Sequence, residues 1–174
     1  MSDLKIHQRH MLKSKDVKVL RKKMLEQIPE ENVKTLLLKS ARLEWVKLSN
    51  REELIAIDGV LCFWLRKNIY IPLMTLLLND EIKYKIKSVS VDKGAIPYVT
   101  NGANVMRPGI TKIDGDIRKD DIIKIQDSVH NRVLALGRAL FDAPEMELKK
   151  EGKVIENIHT LNDKIWKFSK EFSR

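Results

Sequence analysis

Apolar residues recur at helical spacing early in the chain. Val17, Leu20, Met24 and Ile28 define one face, and Lys18, Arg21, Lys22 and Lys23 decorate the rest. That pattern predicts a helix over residues 10–28, ended by Pro29. "EENVKTLLLKS", residues 30–40, predicts a second, shorter helix with Leu36 and Leu37 inward, and "RLEWVKLS" a strand. Two apolar runs, "ELIAI" and "VLCFWL", are joined by Asp58-Gly59, the pair a tight type I′ turn favours, so they predict a hairpin. From Pro72, "PLMTLLLN" predicts a short apolar helix, where proline in the first turn is harmless. These elements make an α+β unit.

The pattern then changes. Short β-like runs stand at "IKSVSV", "NVMRPGITKI", "DIIKIQ" and "RVLALGRALF", separated by turn signals at "DGD" and "DSVHN". Close spacing of short strands predicts a small barrel or sandwich. "DAPEMELKKEG" carries helix signals in order: Asp142 as cap, Glu145 completing a capping box, Pro144 in the first turn, Lys149 and Lys150 in the last, Gly152 beyond. "KVIENIHTL" predicts a final strand, followed by an aromatic tail with Trp166 and Phe168. The expected fold class is α+β in two domains, residues 1–87 and 88–174.

The stretch "VDKGAIPYVTNGANVMRPGITK", residues 91–112, is too broken for a core strand and too apolar for an ordinary loop. Ile96, Val99 and Ala103 at i, i+3 and i+7 predict a short helix with one buried face, with Pro97 in its first turn and Gly102 ending it. Its start, near Gly94 and Ala95, offers unpaired N–H groups to a phosphate, unless Asp92 caps them. Gly102 and Gly109 allow close backbone approach. Without Gly-Lys-Ser/Thr the segment is no nucleotide P-loop.

Composition narrows the function. The net charge of +9 points to a polyanionic partner, usually nucleic acid. The excess lies early: residues 1–50 carry twelve Lys/Arg against six Asp/Glu. Apolar runs fall far short of the ~20 residues of a membrane span, and no charged segment followed by an apolar one opens the chain, so no secretory signal is expected. The single cysteine, Cys62, forms no internal disulfide and points to a reducing, cytoplasmic location.

"VDKGAIPYVTNGANVMRPGIT" resembles the signature of the PUA domain, an RNA-binding module. "KIDGDIRKDDIIKIQ" and "VLALGRALFD" resemble its following strands, although Asp120-Asp121 stands where many such domains have Gly-Asp. "GKVIENIHTLNDKIW" and "LIAIDGVLCFWLRKNIYIPLMTLLL" resemble the end and the pre-PUA domain of the malignant-T-cell-amplified-sequence and ligatin-type translation factors. The resemblance implies an α+β pre-PUA domain followed by a PUA pseudo-barrel of mixed and antiparallel strands. It also implies a non-catalytic RNA-binding protein that works with rRNA or tRNA at the small ribosomal subunit in initiation, reinitiation or recycling; no cofactor or metal is expected. In that family a partner protein with an initiation-factor-like domain works alongside. An alternative is an accessory RNA-binding protein for tRNA or rRNA modification. A third is an RNA-modifying enzyme, for which residues 1–88 hold no catalytic constellation.

Carried onto matching positions, the resemblance implies RNA contacts at Lys93, Gly94, Ala95, Tyr98, Asn101, Gly102, Arg107, Gly109 and Arg138. Lys93 and Arg107 would meet phosphates, Tyr98 would stack on a base or pack half-buried, and Asn101 would read a base edge or end the helix. On this expectation Arg107→Glu abolishes RNA binding without lowering the melting temperature. The helix bearing Lys18, Arg21, Lys22 and Lys23 is a candidate second RNA contact, the alternative being a solvated face. His7 and His10 stand at a metal-capable spacing but lack further ligands. His159, Cys62, Trp45 and Trp64 read as packing residues, and Trp166 as packing or partner contact. No Gly-x-Ser-x-Gly, His-Glu-x-x-His or Cys-x-x-Cys motif occurs.

Overall fold

The computed structural model describes residues 4–38 and 41–172. The chain forms two compact units: residues 1–85 with 164–174, and residues 86–163. The boundary expected at 87/88 thus has its counterpart at 85/86, but the aromatic tail, expected in the second domain, joins the first unit.

In the first unit β1 (Ile6–Met11), β2 (Leu43–Leu48), β3 (Glu53–Ile57), β4 (Val60–Arg66) and β5 (Ile69–Pro72) form one antiparallel sheet in chain order. Helices α1 (Ser14–Leu25), α2 (Glu30–Leu36) and α3 (Met74–Leu77) accompany it. Leu20 and Met24 of α1 join Val33, Leu36, Ile55 and Phe63 in the core.

The helix expected from residue 10 begins only at Ser14. Residues 6–11 are strand instead, held by main-chain pairing with β2 from Ile6↔Leu48 to Met11↔Glu44. All six are exposed, so no apolar face signals the strand. The helix also stops at Leu25, and Ile28 is buried from the turn that follows. In the second expected helix, Lys39 and Ser40 lie outside the described residues. Asp58 and Gly59 have φ of 50° and 84°, as the expected type I′ turn requires. Pro72 ends β5 rather than opening a helix, because the Leu73 N–H still donates to Cys62 O on β4.

The aromatic tail forms α6 (Lys164–Phe172). Ile165 and Phe168 are buried, and the helix packs on α3 and β4. Trp166 is half-buried on it, with Lys170 Nζ over its ring.

The second unit holds β6 (Ser88–Val91), α4 (Ile96–Thr100), β7 (Val105–Met106), a single 3₁₀ turn at Arg107–Gly109, β8 (Ile110–Ile113), β9 (Ile122–Asp127), β10 (Val133–Ala139), α5 (Ala143–Leu148) and β11 (Lys153–Thr160). The sheet order is β7-β11-β10-β9-β6-β8, with β6–β9 parallel and the other pairs antiparallel. The two edge strands, β7 and β8, are joined by that one 3₁₀ turn, which nearly closes the sheet into a barrel. Val89, Val91, Ile123, Ile125, Ala135 and Ile155 fill it.

Asp120 takes φ of 70°, so the turn before β9 keeps the left-handed residue that glycine supplies elsewhere. The capping box expected at α5 does not form. Asp142 Oδ1 accepts instead from the Lys119 N–H at 2.8 Å, tying the Asp120 turn to α5.

Asp127 organises the β9–β10 turn. Its carboxylate accepts from the N–H groups of Val129, His130 and Arg132. These bonds, that of His130 first, hold its pKa below the ordinary carboxylate value. A depressed folded pKa stabilises fully above the unfolded value, near 3.9, and is lost as pH falls through the folded one. Asp127→Asn is therefore expected to lower the melting temperature at neutral pH, and the gap to wild type should close as pH falls below about 4. A gap that stays constant with pH in thermal melts would contradict this.

Candidate functional site

The segment after β6 is built around α4. Main-chain pairing continues past Val91, with the Asp92 N–H donating to Gly109 O at 2.9 Å. The Asp92 carboxylate accepts from the Ala95 N–H at 2.8 Å. Asp92 thus occupies the Ala95 N–H, one of the two donors expected to cradle a phosphate at the start of α4. α4 buries Val99, half-buries Ile96 and leaves Tyr98 69% exposed. Ala103, expected on the buried face, is exposed, because Gly102 at φ 91° ends the helix first.

The far end of α4 is held from β11. Asn157 Nδ2 donates to Val99 O, which also accepts from the Gly102 N–H, and to Ala103 O just beyond the helix. The Asn157 N–H donates to Asn104 Oδ1. In sequence, Asn157 shows no signal beyond its place in "IENIHTLND".

Two grooves flank α4. One, of about 360 Å³, is lined by Gly94, Ala95, Tyr98 and Gly109, which the sequence singles out, and by Met106 and Pro108, which it does not. Met106 is 50% exposed, an apolar side chain at a short strand's end with no periodic pattern to reveal it. A β-carbon on Gly109 would come within 3.1 Å of Ala95 Cβ, so glycine there keeps α4 close against the 3₁₀ turn. The second groove, of about 350 Å³, lies at the other end of α4. Asn101 and Gly102 line it with Thr100, Thr160, Asn162 and Asp163. The expected residues are thus split over two surfaces.

Two of the expected cations are engaged elsewhere. Arg107 Nε donates to Met146 O at 2.7 Å, Nη1 to Ile110 O at 3.1 Å and Nη2 to Glu147 O at 3.5 Å. Met146 and Glu147 lie in the last turn of α5, so the guanidinium caps that helix. Arg138 donates from Nε and Nη2 to Glu156 Oε2 and from Nη1 to Asp120 Oδ1. The Glu156 hydrogen bond chiefly raises its pKa, and two carboxylates neutralise it. Neither arginine lines either of these two grooves, whereas Lys93 keeps an exposed side chain beside Gly94.

On α1, Lys18, Lys22 and Lys23 are exposed. Arg21 is half-buried and donates to Leu37 O, so it is a packing residue rather than part of a cationic face. His159 is buried, with Nδ1 against Asp163 Oδ2. Burial pushes the Cys62 thiol up to about 12. Among the described residues, no three His, Cys, Asp or Glu side chains group to hold a metal, and no helix is long and apolar enough to cross a membrane.

The PUA domain family matches residues 87–161, and the Pre-PUA-like domain family residues 2–79. The chain is 31% identical to translation machinery-associated protein 20 of Saccharomyces cerevisiae over 95% of each chain. It is 31% identical to malignant T-cell-amplified sequence 1 of Rattus norvegicus, covering 89% of this chain and 87% of the rat protein. Among solved structures, a hypothetical protein of Pyrococcus horikoshii aligns with a TM-score of 0.79 at 32% identity, over 93% of this chain and 99% of the other.

Proposed function

This chain belongs to the pre-PUA and PUA family that takes in the translation machinery-associated and malignant T-cell-amplified-sequence proteins, and on that premise we propose that it binds RNA in translation. It acts in the cytoplasm at the small ribosomal subunit, without catalysis of its own, and a protein with an initiation-factor-like domain works beside it. The names of its relatives support the translation role.

The groove between Tyr98 and Met106 carries the RNA reading. Tyr98 presents an exposed ring at a groove that Gly94 and Gly109 also line, where the absence of their side chains leaves room for a flat ligand. A base stacks on that ring, and the adjacent Lys93 meets its phosphate. Asn101 lends an amide to a neighbouring base edge in the second groove, where Gly102 leaves the wall low.

Tyr98→Ala is expected to weaken single-stranded RNA binding by about 1–3 kcal/mol, roughly fivefold to 150-fold. An exposed ring contributes little to folding, so the melting temperature should stay within a degree or two of wild type, in line with the small effects of surface substitutions. Equal RNA affinity of variant and wild type would remove the groove from the interface. Co-sedimentation with small ribosomal subunits tests the wider assignment. Recovery only with an RNA-modification enzyme would favour an accessory role in modification instead. Base-modifying activity of the purified chain on tRNA would overturn the non-catalytic reading.

A further inference from the structure

The charge of this protein is divided unequally. Residues 86–163 carry twelve Lys/Arg and twelve Asp/Glu, whereas the first unit carries twenty-one and twelve. The whole excess of +9 therefore belongs to the first unit, and the unit with the PUA fold has no net charge. Yet affinity for a nucleic-acid backbone comes chiefly from neutralised phosphates.

Within the first unit the exposed cations differ in what they do. Lys34, Lys85 and Arg9 each sit against a carboxylate, of Glu30, Glu31 and Glu44 respectively. Lys15, Lys18 and Lys22 of α1 are exposed, and none forms an ion pair among the described residues. At i, i+3 and i+7 they make one row, about 10 Å long at the helical rise of 1.5 Å per residue. The row lies opposite the buried Leu20 and Met24.

Helix stability does not account for this row. Lys22, in the last turn, complements the helix dipole, but Lys15, in the first turn, opposes it. Lys15–Lys18 and Lys18–Lys22 are also like-charge neighbours, which destabilise a helix. The row is thus unpaired among the described residues and open to an external anion.

We propose that the Lys15–Lys18–Lys22 face of α1 neutralises RNA phosphates. The first unit then supplies most of the salt-sensitive part of binding, and the second unit's groove adds stacking on Tyr98 and the one phosphate contact of Lys93. This rests on the reading above that the ligand is RNA.

The test compares the full chain with a Lys15→Gln/Lys18→Gln/Lys22→Gln variant and with the matching triple arginine variant. The probe is a mixed-sequence single-stranded RNA oligonucleotide, titrated across salt concentrations. Each phosphate that is no longer neutralised lowers the slope of log affinity against log salt by about 0.7, so the glutamine variant's slope should fall by about 2, with affinity about tenfold to a hundredfold lower near 0.1 M salt. The arginine variant should keep the wild-type slope. The glutamine variant should melt no lower than wild type, because glutamine is an equally good helix former and repulsion is relieved.

A glutamine variant with an unchanged slope overturns the proposal. It is equally overturned if the RNA slope stays constant while anionic phospholipid vesicles are bound in a lysine-dependent way. Tyr98→Ala separates this outcome from failure of the groove reading, since it should lower affinity and leave the slope unchanged. A reduced slope in the glutamine variant, with Tyr98→Ala silent, supports the α1 face and removes the groove alone.

Discussion

Arg107→Glu is expected to destabilise the second unit by about 3–5 kcal/mol, because charge-assisted hydrogen bonds contribute about 1.5–3 kcal/mol each and unpaired buried acceptors add a penalty. The guanidinium bridges three carbonyls, two from the end of α5 and one from β8. The Arg107 N–H also donates to Gly152 O, so this residue joins the 3₁₀ turn to both α5 and the start of β11. Glutamate would remove the donors and set a carboxylate against the same carbonyl oxygens. For a unit of this size the melting temperature should fall by roughly 15–30 °C. Arg107→Lys should lie between, since one ammonium reproduces only part of the fork. Thermal unfolding followed beside RNA binding checks the claim. A variant that melts like wild type but no longer binds RNA would return Arg107 to the interface, where its sequence position first put it.

Gly137→Val should be nearly as damaging for a different reason. A β-carbon at this position would stand 2.4 Å from Ile155 Cγ2 and 2.9 Å from Glu156 O, the latter a main-chain atom. It falls where the β10–β11 register shifts between Leu136 and Gly137. Overpacking of this kind typically costs 1–3 kcal/mol, and with main chain in the way we expect about 3 kcal/mol or more. The strain would also move β11, which carries Asn157 and so holds the end of α4. RNA affinity should therefore fall together with stability, unlike in Tyr98→Ala. A Gly137→Val protein with wild-type melting and binding would show that β10 and β11 can separate freely.

The order and type of elements were largely legible in the chain. The 58–59 hairpin, α4 and the strands of the second unit follow from local signals: a left-handed dipeptide, one buried stripe, short apolar runs between turns. β1 was not legible, since all its side chains are exposed and it exists by pairing with β2, more than thirty residues away. The Asp142 cap failed for a related reason, a distant N–H of Lys119 claiming its carboxylate.

The candidate site divides along the same line. Sequence alone determined the family signature, the positive charge and the glycine-bracketed helix with Tyr98 on it. Tertiary structure decided which charges are available. It gave Arg107 to the α5 carbonyls, Arg138 to Glu156 and Asp120, and Arg21 to Leu37, and it set Met106 beside Tyr98. Residue type and spacing record what a side chain is able to bind. Which partner it meets is decided by groups far away in sequence, and those are brought near only when the chain has folded.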